Sequence, residues 1–258
     1  MYHAQGLLLP IAIALLAAPG GSGDDQKAIH QVLDRAIKAL GGGANLKKYP
    51  AVTWKGKFTG HGPEGKAIAT GDWYLQGSEQ FRRDVDIEID GQRIQTSMII
   101  NGKEGWVKAR DNKVYPIEKE LFTRTKANRL YAFWVATLLP LKDKSFTLSP
   151  LGELQVGDRL TVGIKAARGG YPDINLFFDK QTHLLLRSEM IIQPETGTDD
   201  EIARMVTEER LYADYQEKDG VRRARKITAN YDGKLRWEME IAEFQPQERI
   251  SESVFARP

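Results

Sequence analysis

The segment Leu121–Pro140 constrains the fold of this chain more than any other. Its second half is apolar almost all round, and Pro140 supplies a helix stop because proline lacks a backbone N–H. A helix with two apolar faces needs cover on both sides, from a sheet, another segment or a ligand. The first face comprises Leu130, Phe133, Trp134, Thr137 and Leu138 at helical spacing, and the second comprises Tyr131, Val135 and Leu139.

Two interpretations of this central helix are compatible with its pattern. It is the plain core helix of an α+β domain, or it plugs or lids a cavity. Phe133 and Trp134 are consecutive and project about 100° apart on a helix. We therefore expect one of them to contact the sheet and the other to contact the mouth of the cavity or the ligand.

On either side of this helix the hydrophobic pattern changes from a helical period to strict alternation. Val52 and Trp54 alternate with polar neighbours, and Asp90-Gly91 and Asp232-Gly233 are two-residue hairpin turns. An amphipathic helix precedes the strands. The sequence predicts a mainly β, α+β fold with about eleven antiparallel strands, in which one strongly curved, half-open β-barrel carries the central helix on its concave side.

The N-terminal segment, residues 1–23, has the apolar core of an export signal, and residues 24–258 are predicted to form one domain. The apolar core is too short to span a membrane comfortably, but the leading segment lacks Lys and Arg. An uncleaved membrane anchor is therefore the alternative. The absence of cysteine excludes disulfides, thiol chemistry and a lipid-modified cysteine anchor.

The charge balance argues against nucleic acid as a partner. The chain has 37 basic and 35 acidic residues, which are spread along its length. Its densest basic run is Arg222–Lys226, within a predicted strand. We interpret that run as a solvated strand face.

No arrangement typical of catalysis or metal binding is found in the sequence. The four histidines have no partner at ligand spacing, and there is no G-x-S-x-G elbow. The acidic pairs Asp84/Asp86 and Glu208/Glu209 are predicted to lie on exposed strand faces. We therefore expect a protein that is not an enzyme and uses no metal or cofactor.

The pattern resembles the LolA-like fold of bacterial lipoprotein-localisation carriers, which periplasmic stress sensors and some lipid-binding proteins share. The resemblance lies in Ala39–Lys47 before the Trp54–Phe58 strand, in Tyr212–Tyr215 and Asp219–Ile227, and in the ending Glu248–Pro258. It implies a cavity for a hydrophobic ligand. It also implies that Arg83, inward on an early strand, tethers the lid helix, unless a bulge returns Arg83 to solvent.

The predicted ligand-binding residues are aromatic, Met and Leu side chains expected to face inward. Such side chains can line an adaptable apolar cavity, or they can pack on the helix and leave no space. From the strands they are Trp54, Trp73, Phe81, Met98, Trp106 and Trp237, and from the helix they are Leu130, Phe133, Trp134 and Leu138.

These features lead to two hypotheses about function. The first is a periplasmic or secreted monomeric carrier that binds a lipid, an acylated lipoprotein or another hydrophobic ligand. The second is an envelope sensor or scaffold with a solid core that binds a protein partner. The sequence leaves both open.

Overall fold

The computed structural model describes residues 23–62, 65–89, 91–194 and 203–258, apart from the side chains of residues 23–25 and 89. The predicted export signal, residues 1–23, lies outside the described residues except for Gly23. Within the described ranges, every helix is too short or too polar to cross a membrane.

Three α-helices and thirteen strands make up the described chain. The helices are α1 (Gly23–Ala39), α2 (Gly42–Lys48) and α3 (Lys119–Thr137), with 3-10 turns at Leu139–Lys142 and Glu252–Phe255. The first six strands are β1 (Ala51–Gly62), β2 (Gly65–Gln76), β3 (Gln80–Ile89), β4 (Gln92–Asn101), β5 (Glu104–Lys108) and β6 (Val114–Pro116). The remaining seven are β7 (Phe146–Val156), β8 (Arg159–Arg168), β9 (Ile174–Asp179), β10 (Leu185–Ile192), β11 (Val206–Lys218), β12 (Val221–Tyr231) and β13 (Lys234–Gln247).

All thirteen strands form one open antiparallel sheet in the order β6-β5-β4-β3-β2-β1-β13-β12-β11-β10-β9-β8-β7. The chain runs from the middle of the sheet to the β6 edge, crosses through α3 to the β7 edge, and returns to pair β13 with β1. The central helix of the sequence is therefore the connection between the two edges of the sheet.

The strand number predicted from sequence, about eleven, is too low for the described chain. The described chain has thirteen strands, and one that escaped prediction is β7, which contains Pro150 and Gly152. Its pairing with β8 shifts register between these two residues. Proline and glycine are tolerated in a strand at an edge or a bulge, and β7 has both features, so its sequence is typical of a loop.

The contacts of α3 show that the sheet curves strongly around it. The Arg129 guanidinium lies 4.6 Å from the ring centre of Phe81 in β3, and the Trp134 ring lies 4.9 Å from that of Phe146 in β7. Arg129 and Trp134 are about 7.5 Å apart along the helix axis. Strands β3 and β7 are nine positions apart, about 43 Å across a flat sheet. The sheet must therefore wrap around α3, and the fold is an open, strongly curved β-sheet.

Two apolar clusters cover the concave face. The helix-side cluster joins α1, α2 and the second half of α3 to β7–β12, with Leu33, Tyr131 and Phe178 at its centre. The strand-side cluster joins β1–β4 to the end of β13 through Trp73 and Phe244. On the convex face, a smaller cluster anchors the C-terminal segment and comprises Ala51, Ile250, Phe255, Tyr74 and Val254.

The turn between α1 and α2 packs tightly against the turn between β11 and β12. Gly41 has φ 119°. A Cβ at this position would lie 1.9 Å from the Gly220 carbonyl oxygen. The Asn45 amide donates to the carbonyl oxygens of Gly41 and Gly220, at 3.0 and 3.3 Å. This contact fixes the N-terminal helices to the sheet.

Gly41→Ala should therefore destabilise the protein much more than Gly42→Ala. Gly42 also has a positive φ, of 84°, but a Cβ there would meet nothing within 4 Å. We expect a loss of about 1–2 kcal/mol for Gly42→Ala from backbone strain alone, and about 2–4 kcal/mol for Gly41→Ala from strain and overlap together. Urea unfolding of both variants measures the difference, and equal losses would contradict this account of the turn.

Candidate functional site

A cavity of about 200 Å³ lies where the two concave-face clusters meet. Its helix-side wall includes Leu40, Leu185 and Tyr215, and its strand-side wall includes Val52 and Phe244. Most of the other lining side chains are also apolar: Leu75, Ile227, Met239 and Ile241. The cavity is therefore a gap between two packed cores, and α3 covers it.

One stripe of α3 faces this gap. Arg129, Ala132, Val135 and Ala136 line the cavity, at the i, i+3, i+6 and i+7 positions of the helix. Two of these four side chains are single methyl groups. Because alanine reaches less far than leucine or phenylalanine, the helix does not fill the space beneath it.

Of the predicted ligand-binding residues, Trp54, Phe81 and Trp237 line the cavity. Trp73 and Met98 lie beside them on the same face of the sheet, in the strand-side cluster. The Trp73 ring is parallel to that of Trp54, with centres 6.2 Å apart and planes 6° apart. These strand residues therefore form one wall of the cavity and its continuation along the concave face.

The predicted helix residues Leu130, Phe133, Trp134 and Leu138 belong to the helix-side cluster and are absent from the cavity lining. Trp134 is buried, edge-on to Phe146 at 4.9 Å. Leu138 is buried but not helical, since it ends α3 with φ 59°. The expectation that Phe133 or Trp134 would face the cavity is wrong, because that stripe holds alanines.

Trp106 lies on the other face of the sheet, so its predicted inward orientation is wrong. It pairs with Ile99, whereas Val107 pairs with Met98 of the strand-side cluster. Directly paired residues share a face of an antiparallel sheet. Trp106 and Val107 are adjacent large apolar residues in a short strand, so the sequence pattern does not show which of them faces inward. A shift of one residue in the register moves every side chain to the other face of the sheet.

Arg83 shares the concave face with its pairing partners Trp73 and Met98. The pairing of β3 with β2 and with β4 is continuous around it, so no bulge turns Arg83 towards solvent. Its role as a lid tether stays a prediction. The cation that stacks on Phe81 is Arg129, on the helix itself.

A buried ion pair lies beside the cavity on β11. Glu208 is 1% exposed, and its carboxylate is 2.6 Å from the Arg210 guanidinium. The Trp237 indole N–H also donates to Glu208, at 3.3 Å. Burial alone would lower the pKa of Arg210, but the Glu208 carboxylate outweighs this effect and the pKa is raised. The predicted exposure of Glu208 is therefore wrong, and Arg210 is a fully charged group.

A chain of hydroxyl groups attaches α3 to the sheet next to this ion pair. Tyr131 of α3 is hydrogen-bonded to Ser188 of β10 at 2.6 Å, and Ser188 to Tyr212 of β11 at 2.9 Å. Burial raises the pKa of both tyrosines, well above the ordinary value for Tyr131. The Arg210 guanidinium lies 4.6 Å from the centre of the Tyr131 ring. These contacts hold the cavity side of the helix in place.

No protein-family model matches this sequence, and no curated protein sequence is similar to it. Solved structures do match its fold. A LolA superfamily protein from Nitrosomonas europaea superposes with a TM-score of 0.54 at 10% identity, covering 88% of this chain and 97% of its own. A domain described as an outer membrane lipoprotein-sorting protein, from Vibrio parahaemolyticus, gives 0.55 at 9% identity, covering 86% and 97%.

A DUF1329 family protein from Desulfovibrio piger gives a TM-score of 0.58 at 11% identity, covering 88% of this chain and 97% of its own. The chain has a LolA-like fold. The resemblance inferred from the sequence is thus confirmed, at the level of the fold. These matches extend over nearly the whole length of the three structures.

In this LolA-like fold, the charged residues lining the cavity are all arginines: Arg129, Arg210, Arg222 and Arg223. Arg210 pairs with Glu208, and Arg222 lies 3.2 Å from Glu217. Within the run Arg222–Lys226, Arg223 lines the cavity with its Nε buried, so its interpretation as part of a solvated face is wrong. Arg222 also borders the cavity, but its side chain is 38% exposed. Within the described ranges, no three His, Asp or Glu side chains are close enough to hold a metal ion.

Removing one partner of the Glu208–Arg210 pair should cost more than removing both. Glu208→Gln leaves a buried guanidinium unpaired, and Arg210→Met leaves a buried carboxylate, so each should lose about 3–5 kcal/mol. The double variant Glu208→Gln/Arg210→Met has no buried charge at this position, and its glutamine still accepts a hydrogen bond from Trp237, so it should lose less than either single variant. Urea unfolding of the four proteins gives the coupling energy. Strictly additive losses would show that the pair does not act as a unit.

Trp134→Ala should destabilise the LolA-like fold by about 3–5 kcal/mol, as truncation of a core aromatic does. Phe133 is only half-buried, so Phe133→Ala should cost roughly half as much. Thermal unfolding checks both values. Equal losses for the two variants would contradict this difference in burial.

Proposed function

We propose that this protein is an exported, non-enzymatic carrier that holds a hydrophobic ligand, such as a lipid or the acyl chains of a lipoprotein, in the cavity beneath α3. The observation that supports this function best is the cavity itself, a space between two packed clusters with mostly apolar walls. Fully packed interiors leave few voids larger than a water molecule, so a gap of this size favours binding over a purely structural core.

The energetics suit reversible transport. Each buried methylene contributes about 0.8 kcal/mol, so about ten methylenes of an acyl chain give roughly 8 kcal/mol, in the micromolar range. The cavity, at about 200 Å³, is smaller than the usual 300–1,000 Å³ of small-molecule sites. A long chain would therefore have to displace α3. We infer that α3 acts as a lid, whose lost contacts the incoming chain replaces.

The comparison with known structures supports the same hypothesis. One structure with the same fold is described as an outer membrane lipoprotein-sorting protein domain. We propose that such a carrier acts in the periplasm. The apolar N-terminal segment, residues 1–23, is suited to export into that compartment. We propose that the protein is periplasmic or secreted and monomeric.

One observation favours a second candidate, an envelope sensor or scaffold that binds a protein. The edge strand β7 and its neighbour β8 expose three large apolar side chains: Leu151, Leu154 and Leu160, between 37% and 45% exposed. An open strand edge can pair with an extended segment of another protein. An affinity purification that gives one stoichiometric protein partner and no lipid would favour this function.

Ala132→Phe tests the carrier function, because the new ring would occupy the cavity from the helix side. Uptake of a fluorescent fatty acid should fall at least about tenfold, as expected for the loss of contacts worth two methylene groups. Ala127→Phe is the control, since Ala127 is exposed on the same helix and away from the cavity. Thermal unfolding should show that both variants are folded.

Two results would contradict the proposal. One is equal uptake by the wild type and Ala132→Phe, which would place the bound fatty acid elsewhere. The other is a wild-type protein that takes up no fatty acid and contains no lipid by mass spectrometry after purification.

A further inference from the structure

The charge around the cavity is one-sided. Four arginines line it, and none of the described residues that line it is Asp or Glu. Two of these cations are neutralised from outside the lining, by Glu208 and Glu217. The wall that the ligand meets is therefore apolar with positive groups, which is unfavourable for a cationic head group.

Arg223 differs from the other arginines in its surroundings. Within the described part of the chain, its guanidinium has no ion pair and no hydrogen bond, and its Nε is buried. Arg222 and Arg225, its near neighbours on β12, have carboxylate partners in Glu217 and Asp214. The residue is half-buried, so its guanidinium is partly desolvated without a counter-charge from the protein, and this costs free energy.

The arginine is nevertheless charged at neutral pH. Burial lowers the pKa of Arg223 to about 10, which is still about three units above pH 7. A protonated guanidinium offers a planar fork of N–H donors that matches the oxygens of a carboxylate or phosphate.

We propose that Arg223 binds the anionic head, a carboxylate or phosphate, of an amphiphile whose acyl chain lies in the cavity. This inference rests on the proposed carrier function and narrows its ligand class. The apolar walls, with Trp54, Ile227 and Met239, contact the chain, and Arg223 fixes the charged end. Arg222 lines the same region and already has Glu217 as its partner, so Arg223 is the group that gains most from an incoming anion.

Calorimetric titration with matched twelve-carbon probes tests the proposal. The purified protein is titrated at neutral pH with dodecanoate, dodecyl phosphate, dodecanol and dodecyltrimethylammonium, each as monomer. A charge-assisted hydrogen bond in a partly desolvated site corresponds to a preference on the order of 10- to 100-fold for an anion over the alcohol. Comparison of the first two probes shows which anionic head is preferred.

Arg223→Gln should abolish that preference, because binding of the anions falls to about the level of dodecanol binding. Arg249→Gln is the control for net charge, since Arg249 is exposed near the C-terminus, next to Glu252. Arg223→Gln should also unfold at the same temperature as the wild type or a higher one, because it removes a charge that lacks a partner. A lower unfolding temperature would indicate a structural role for Arg223 and overturn the assignment.

The remaining outcomes separate this inference from the carrier function. If dodecanol or the cationic probe binds as tightly as the anions, the inference fails and the carrier function stands. If the anions are preferred equally by the wild type and Arg223→Gln, Arg223 is not the anion site. If none of the four probes binds, the carrier function itself fails, and with it the inference.

Discussion

The crossing of α3 from one edge of the sheet to the other is the constraint on which the rest of the structure depends. The strands on either side of α3 run outward and then back, so α3 must connect β6 to β7, the two outermost strands. A flat sheet of thirteen strands would be about 58 Å wide, twice the roughly 28 Å length of a 19-residue helix. Curvature brings the edges closer together and places α3 inside the sheet. Because strands surround α3 on more than one side, this helix needs apolar side chains on more than one face.

The cavity follows from the same arrangement. The second half of α3 packs with α1 and the strands β7–β12, while β1–β4 and the end of β13 form their own cluster. The side chains that face the boundary between them include Ala132 and Ala136, which are too short to join the two clusters. The helix is held by the packing of Trp134 on Phe146 and by the Tyr131–Ser188–Tyr212 hydroxyl chain. It can therefore be well fixed and still leave space beneath it.

Sequence reasoning succeeded where a pattern is repeated over many residues. Alternation and Gly-containing turns predicted a curved antiparallel sheet, and the same alternation placed Trp54, Phe81 and Trp237 on the concave face. It failed at single positions where local and tertiary preferences diverge. Two adjacent apolar residues left the face of Trp106 undetermined, and the proline and glycine of β7 concealed an edge strand.

The charged residues could not have been predicted from any local pattern. Glu208 and Arg210 alternate along β11 as solvent-facing residues do, and only the wrapping of the sheet around α3 buries them. Arg223 belongs to a basic run that is typical of a surface strand. Hydrophobic periodicity records which residues are apolar, whereas the burial of a polar residue depends on which distant elements cover it. For this reason the sequence indicated the apolar wall of the site but not its cations.

Stability and binding make opposite demands on this cavity. Larger apolar side chains at Ala132 and Ala136 would join the two clusters, and filling a cavity commonly stabilises a protein. An apolar residue at Arg223 would likewise remove the cost of a partly desolvated charge without a counter-charge. Each of these changes favours a solid core. A chain selected for stability alone has no physical reason to combine a gap, a stripe of alanines and a guanidinium without a protein counter-charge at one place, and the proposed uptake and release of an amphiphile would account for all three.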